Sequence, residues 1–455
     1  MYSIGGEQCI TLINCVHVQI SRGDLANRTS SRVILVRLLV NHARAAAKEV
    51  LSDGRCLCTV DPPTHLLPPC CAGREGRAAA INLCVLPGSD NNRHARMHLH
   101  TTDFAKKLSS RNKMNFCSLL LAVVALAQVA SASSNLPVIF FHGVFSTYKA
   151  GDNFVANLTA ANRTVVSLSF CDGSCSTEAI LTQIPKAVAT VREVVANDSV
   201  FDDGYIFIAH SQGGPIARAV IEEMDDHKVK RFISLAGLQN GQFIGPDKVE
   251  VSIANNNVFF NMLVPQTLFN YSKYAPEDYY GKMQKDFVLY SVENPDAQYT
   301  VSQFNVNRWP QFGSFSTANF FLPVYNNVNR CLLGNDQCIY DQQRRKANFL
   351  KLEQAHFFAS PADDVIMPWQ SCIFGRYSEV DTIEEIETKY MNMTVVNMNE
   401  TLEYTADTFG LQTLEKRGGL FLHPIENVSH SCWAADEDDC VWADVYDQHI
   451  YPTLV

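Results

Sequence analysis

Tyr205-Ile206-Phe207-Ile208-Ala209 is a continuous apolar run, and it breaks at His210-Ser211-Gln212-Gly213-Gly214. Ile216, Ala217, Val220, Ile221 and Met224 then follow at helical spacing. A serine at a sharp turn between a buried strand and an amphipathic helix has the setting of a nucleophile elbow, G-x-S-x-G. The physics explains the residue types. The turn lifts the hydroxyl above the sheet edge, and small residues on either side avoid clashes with the neighbouring strand and helix. Gly213 keeps the second small position, and Ala209 replaces the first glycine, a difference of one methyl group. The helix start also brings backbone N–H groups towards developing negative charge.

Working outward, the same alternation recurs. Pro137 to Phe141 and Thr164 to Phe170 read as strands, and Glu178 to Val195 as a helix. Arg231 to Leu235 and Ala355 to Ala359 read as further strands, Thr382 to Met391 as a helix, and Leu420 to Leu422 as a short last strand. Trp442 to Ile450 is expected to be a closing helix that stops before Pro452. Strands alternating with helices predict an α/β fold around a mostly parallel sheet with helices on both faces. The rhythm stops between Val258 and Arg330, where 17 of 73 residues are aromatic. An aromatic-rich insertion at about 245–345 is therefore expected as a cap, its rings forming its own core and some of them lining a ligand pocket.

A serine needs a base to take its proton and a carboxylate to orient that base. On an elbow-bearing sheet the chain order is Ser, then Asp or Glu, then His. Asp363 follows the strand at 355–359, and His430 lies in a loop after the strand at 420–422. Asp364 competes with Asp363, and His423 with His430, but His423 sits within or beside its strand. His210 and His142 read as structural, the first packed under the sheet and the second in the loop after its strand. The oxyanion hole is expected from the backbone N–H groups of Gln212 and Val144, with Phe145 as the neighbouring option to Val144. No metal-ligand cluster or phosphate-binding glycine loop competes for the chemistry, so no cofactor is expected.

The chain has 455 residues, 47% hydrophobic and 18% charged, with a net charge of −10. No unbroken apolar run reaches the length of a membrane span, and the acidic balance disfavours nucleic acid as a partner. The charge is uneven: +7 over residues 1–113 and −17 over 114–455. The join carries Lys106, Lys107, Arg111 and Lys113, then the apolar run Leu119 to Ala127, then Ala130-Ser131-Ala132. That order is a signal peptide over 114–132, with Met114 as the expected start. Residues 1–113 are then an extension with no assigned function, set outside the translated protein, and 133–455 form the body. If Met1 is used instead, the segment reads as an uncleaved anchor.

Seven N-x-[ST] sites follow the signal, at Asn157, Asn162, Asn197, Asn270, Asn392, Asn399 and Asn427. They point to a glycosylated luminal protein. Three close cysteine pairs, Cys171/Cys175, Cys331/Cys338 and Cys432/Cys440, are disulfide candidates in an oxidising compartment. Cys372 is left over and reads as a buried, inert thiol.

His142-Gly143-Val144, the His210-to-Gly214 elbow, Asp363-Asp364-Val365-Ile366-Met367-Pro368-Trp369-Gln370-Ser371, Phe374-Gly375-x-Tyr377 and Val428-Ser429-His430 together resemble the palmitoyl-protein thioesterases. The likeness covers about 136–455 and looks closer to the second, lysosomal branch. Many lipases and esterases share the elbow; the Asp-to-Phe-Gly-x-Tyr stretch is much more specific. The resemblance implies an α/β-hydrolase fold with a late cap insertion. It implies a soluble enzyme of the lysosome or vacuole lumen that cleaves fatty-acyl thioesters, from S-acylated proteins or acyl-CoA. Ser211, Asp363 and His430 match the family's triad positions. The secretory route leaves room for a sorting receptor as a partner. An oxyester lipase or esterase on the same fold and a non-catalytic luminal lipid-binding glycoprotein remain the competing readings.

Overall fold

The computed structural model describes residues 135–246 and 262–455. The extension 1–113 and the signal segment 114–132 lie outside the described residues. Among the described residues the strands are β1 (Val138–Phe141), β2 (Val165–Ser167), β3 (Tyr205–His210), β4 (Val229–Leu235), β5 (Gln354–Ala359), β6 (Arg376–Tyr377), β7 (Val395–Val396) and β8 (Leu420–Pro424). Six form one sheet in the order β2-β1-β3-β4-β5-β8, every neighbouring pair parallel. β6 and β7 make a separate antiparallel pair. This is the doubly covered parallel sheet of an α/β-hydrolase, and its central strands are apolar because both faces are buried. All four residues of β1 are fully buried, and Phe141 packs on Phe207 with ring centroids 4.7 Å apart.

The longer helices are α1 (Asp152–Ala160), α2 (Ile180–Asn197), α3 (Gly213–Glu223), α4 (Lys282–Glu293) and α5 (Asp336–Phe349). On α2 the buried residues Ile180, Ile184, Ala187 and Val191 repeat every three or four positions, one stripe facing the core. α3 packs between α2 and α5 and is buried along almost its whole length. On α1, Phe154 meets Trp442 and Tyr446 of the C-terminal segment.

Between β4 and β5 the described chain is helical. Its aromatic residues pack mainly on one another: Phe269 against Tyr271, Phe287 and Tyr290, and Phe287 stacked on Phe304 at 5.0 Å. The void left among Phe243, Met283 and Phe287 is about 10 Å³, room for one water at most. Buried polar contacts tie the segment to α3, to the chain just past β4 and to the turn at Leu402–Thr405. Arg218 of α3 donates to Asn326 at 2.7 Å, Asn326 donates to Asn240 at 2.9 Å, and Arg308 pairs with Glu403 at 3.0 Å.

Three local expectations change. The second strand ends at Ser167, because Ser169 and Phe170 turn away, the Ser169 hydroxyl donating to Asp172. The helix expected over 382–391 is a single turn, Glu385–Thr388, followed by a separate turn at Tyr390–Asn392; only Ile386 of the first turn is buried. The closing helix is regular only in its first turn, and a separate turn carrying Pro452 follows it. The segment runs Trp442–Val445, widens over Tyr446–Ile450 and tightens over Tyr451–Thr453. Proline is tolerated there because the first turn of a helical segment needs no amide donor.

Candidate active site

Ser211 ends the β3–α3 connection with φ of +56°, a left-handed conformation that is costly for a residue with a side chain. The turn is held by its own N–H donating to the Leu235 carbonyl at 3.1 Å. A Cβ at Gly213 would lie 2.6 Å from the carbonyl oxygens of Phe141 and His142, so only glycine lets α3 start this close to β1. Ala209, in place of the first elbow glycine, is fully buried without disturbing the strand.

The structure brings the three expected side chains together. Ser211 Oγ lies 2.9 Å from His430 Nε2, and His430 Nδ1 lies 2.9 Å from Asp363 Oδ2. Each comes from the C-terminal end of a different strand: Ser211 after β3, Asp363 after β5, His430 after β8. Asp363 Oδ1 accepts from the Val365 and Ile366 amides at 2.9 and 2.8 Å. The carboxylate is therefore oriented by its own turn before the imidazole arrives. Asp364 instead accepts from the His430 backbone N–H at 3.3 Å. His423 lies within β8, where it meets His356 at 3.1 Å and stacks on Phe358.

Ser211 and His430 are each 6% exposed and Asp363 3%, so these charges interact in a medium poor in water. Burial pushes the Asp363 carboxyl up, but the His430 charge and hydrogen bond, with the Ile366 and Val365 amides, outweigh it and hold it below its ordinary value. Burial pushes His430 down; the Asp363 charge and hydrogen bond, then Asp364 and Glu437, outweigh it and raise it. Such an arrangement can draw a proton from a hydroxyl and hold it on the imidazole.

Val144 follows β1 and Gln212 follows Ser211. Among the described residues, neither backbone N–H donates to a main-chain carbonyl in a turn or loop. A small loop closed by the Cys171–Cys175 disulfide, with Ser176 just past it, touches both neighbourhoods. Asp172 pairs with His142 Nε2 at 3.1 Å and accepts from the Tyr148 amide at 2.9 Å. The Gly173 N–H donates to Ser146 at 2.8 Å, and the Ser176 carbonyl accepts from Gln212 Nε2 at 2.8 Å. Phe145, the neighbouring option, has φ of +55° and is 40% exposed.

Sequence reasoning missed this brace and a second link. His210 Nε2 donates to the His430 carbonyl at 2.9 Å. Burial, and after it the His430 charge, push His210 down to about 4, so its ring is neutral. No local pattern signals a contact across 220 residues.

Cys331–Cys338 and Cys432–Cys440 are also joined, and Cys372 is a buried free thiol. Burial, then the Asp363 charge, push that thiol well above its ordinary value, which keeps it unreactive. All seven sequon asparagines are exposed. Among the described residues no helix is long and apolar enough to cross a membrane.

Comparison with known proteins adds a family. The profile described as palmitoyl protein thioesterase matches residues 137–430. The chain is similar to lysosomal thioesterase PPT2-B of Xenopus laevis, 27% identical, covering 69% of this chain and 93% of that protein. It is similar to lysosomal thioesterase PPT2 of Homo sapiens, also 27% identical, covering 69% of this chain and 90% of that protein. Palmitoyl-protein thioesterase 1 of Caenorhabditis elegans is 26% identical over 51% of this chain and 63% of its own length. Among solved structures, a monoacylglycerol lipase of Paleococcus ferrophilus aligns with a TM-score of 0.33 and 11% identity, over 70% of this chain and 93% of its own. The fold assignment rests on the strand order described above, not on that alignment.

Proposed function

Because this chain belongs to the palmitoyl protein thioesterase family, a family of α/β-hydrolase enzymes, we propose that it hydrolyses fatty-acyl thioesters through Ser211, His430 and Asp363. The observation that carries the reading is the chain of contacts from Ser211 Oγ through His430 to Asp363, 2.9 Å at each step. The substrates are S-acylated proteins or peptides, or acyl-CoA.

In this reading Ser211 Oγ attacks the thioester carbonyl as its proton passes to His430 Nε2. Asp363 keeps the Nδ1–H tautomer and stabilises the imidazolium. The oxyanion is received by the Val144 and Gln212 amides. The C–S bond breaks, and His430 returns the proton to the leaving thiolate. Water then gives a proton to His430 as its oxygen attacks the acyl-enzyme. Collapse releases the fatty acid and restores the Ser211 hydroxyl.

The insertion at about 245–345 acts in this reading as the cap of the hydrolase domain. The signal segment 114–132, the exposed sequons and the three disulfides support a glycoprotein delivered to the lysosome or vacuole lumen.

The test is Ser211→Ala assayed on a long-chain acyl-thioester beside its matched oxyester. The substitution is expected to lower kcat by a factor on the order of 10⁴ or more and to abolish fluorophosphonate labelling. Near-normal turnover in the variant overturns the nucleophile. A parent enzyme faster on the oxyester moves the activity to a lipase or esterase.

A further inference from the structure

Among the described residues, Arg231 in β4 makes no salt bridge, and its side chain's one hydrogen bond goes to the Thr453 carbonyl of the C-terminal segment. Its neighbour Glu353 is engaged elsewhere, with Lys230 at 2.9 Å. A guanidinium carries five N–H donors in a planar fork, so most of its capacity is unspent.

That guanidinium lines a cleft of about 440 Å³ between the β4–β5–β8 edge of the sheet and the C-terminal segment. The parallel register sets Arg231 opposite Gln354, His356 opposite Phe421, and Phe358 opposite His423. The rings form a continuous floor: His356 stacks on Phe421 at 4.5 Å and Phe358 on His423 at 4.2 Å. His449 and Val455 close the other side. None of these residues belongs to the candidate triad.

His356 and His423 are both biased towards the uncharged imidazole. Burial, then the His423 and Arg231 charges, push His356 down to about 3, and burial lowers His423. Arg231 brings a positive charge to this cleft. Neutral imidazoles invite a metal ion, but a divalent cation would sit beside that guanidinium. His356 and His423 supply a pair of nitrogens 3.1 Å apart. Among the described residues no third ligand atom joins them within reach. An oxyanion meets the opposite situation: a fork of donors only one of which is spent, on the Thr453 carbonyl. The volume exceeds what a bare oxyanion fills, and the four-ring floor suits a flat body attached to it.

We propose that this cleft is a second binding site, for a small aromatic phosphate monoester, with Arg231 holding the phosphate and the ring floor holding the body. The proposal does not depend on the thioesterase reading.

The experiment titrates the full chain with inorganic phosphate, with phenyl phosphate and with Zn²⁺, by calorimetry. Phenyl phosphate is expected to saturate one site and to bind severalfold tighter than inorganic phosphate. Ser211→Ala is expected to bind alike, which separates this cleft from the active site. Arg231→Met is expected to weaken both phosphates at least about tenfold. Because Arg231 also holds Thr453, His449→Ala is a second variant that spares that bond, and it is expected to weaken phenyl phosphate severalfold. No saturation by either phosphate up to about 10 mM overturns the proposal. So does unchanged binding in both cleft variants, or saturable Zn²⁺ binding without phosphate binding.

Discussion

His210 and His430 are joined by a hydrogen bond from the His210 ring to the His430 main-chain carbonyl, 2.9 Å long, with the two rings 5.0 Å apart. The residue before the candidate nucleophile therefore fixes the backbone of the candidate base. Replacing His210 with Ala removes that anchor and keeps the chemical groups of Ser211, His430 and Asp363. Small errors in positioning reacting groups carry large rate costs. His210→Ala is expected to lower kcat on an acyl-thioester by about ten- to a hundredfold, with KM changed little. Steady-state kinetics beside a far-UV circular dichroism spectrum checks this. Unchanged kcat in a folded variant would remove His210 from the positioning of His430.

Asp363→Asn tests the tautomer. Asp363 Oδ1 accepts two backbone amides, from Val365 and Ile366. The Asn carbonyl would keep those bonds, so its NH₂ would face His430 Nδ1. That nitrogen would then have to accept, and the proton would move to Nε2, where it blocks uptake from Ser211. A loss in kcat of about 10⁴-fold is expected, with thermal stability changed far less. Single-turnover kinetics of acylation reads the effect directly.

The legible parts of this protein are those whose physics is local. A strand, a tight turn and a helix lie within about twenty residues of Ser211, so apolar periodicity and two glycines reveal the elbow. Chain order and a place just past a strand single out Asp363 and His430. Asp364 shares both signals with Asp363, and only the folded chain shows that its oxygen meets the His430 main chain and not the ring. The Asp172 and Ser176 contacts to the oxyanion region arise from tertiary packing, which leaves no trace in periodicity. The helix expected over 382–391 failed for the same reason in reverse: its charged residues have helical propensity, but only Ile386 and Tyr390 are buried there, too little to hold several turns.

The pH dependence follows from the charges around His430. The imidazole must be neutral to accept the Ser211 proton. Burial lowers its pKa, but Asp363 and, more weakly, Asp364 and Glu437 raise it above the ordinary histidine value. kcat/KM is therefore expected to rise with pH through an apparent pKa above about 6.5. Glu437 accepts from the Ser431 N–H at 3.1 Å, a bond that a glutamine can keep. Glu437→Gln removes an anion that favours the imidazolium, so the rising limb is expected to move to lower pH. A pH–rate profile of parent and variant checks the sign, and a shift to higher pH would contradict this electrostatic account.

The Cys171–Cys175 loop and the residue just past it support the oxyanion region at three points. The loop meets Ser146 through Gly173, and His142 and Tyr148 through Asp172, while Ser176 beyond it meets Gln212. The disulfide closes a loop with a sequence separation of only 4, so chain-entropy stabilisation is small, about 2 kcal/mol. If its main consequence is to hold Val144 and Gln212 in register, removing it should cost rate more than stability. A Cys171→Ser, Cys175→Ser variant is expected to lose about tenfold or more in kcat while its urea midpoint falls modestly. The matching Cys331→Ser, Cys338→Ser variant removes a disulfide from the β4–β5 insertion and is expected to keep its kcat. Equal rate losses in the two double variants would show that the first loop has no particular hold on the site.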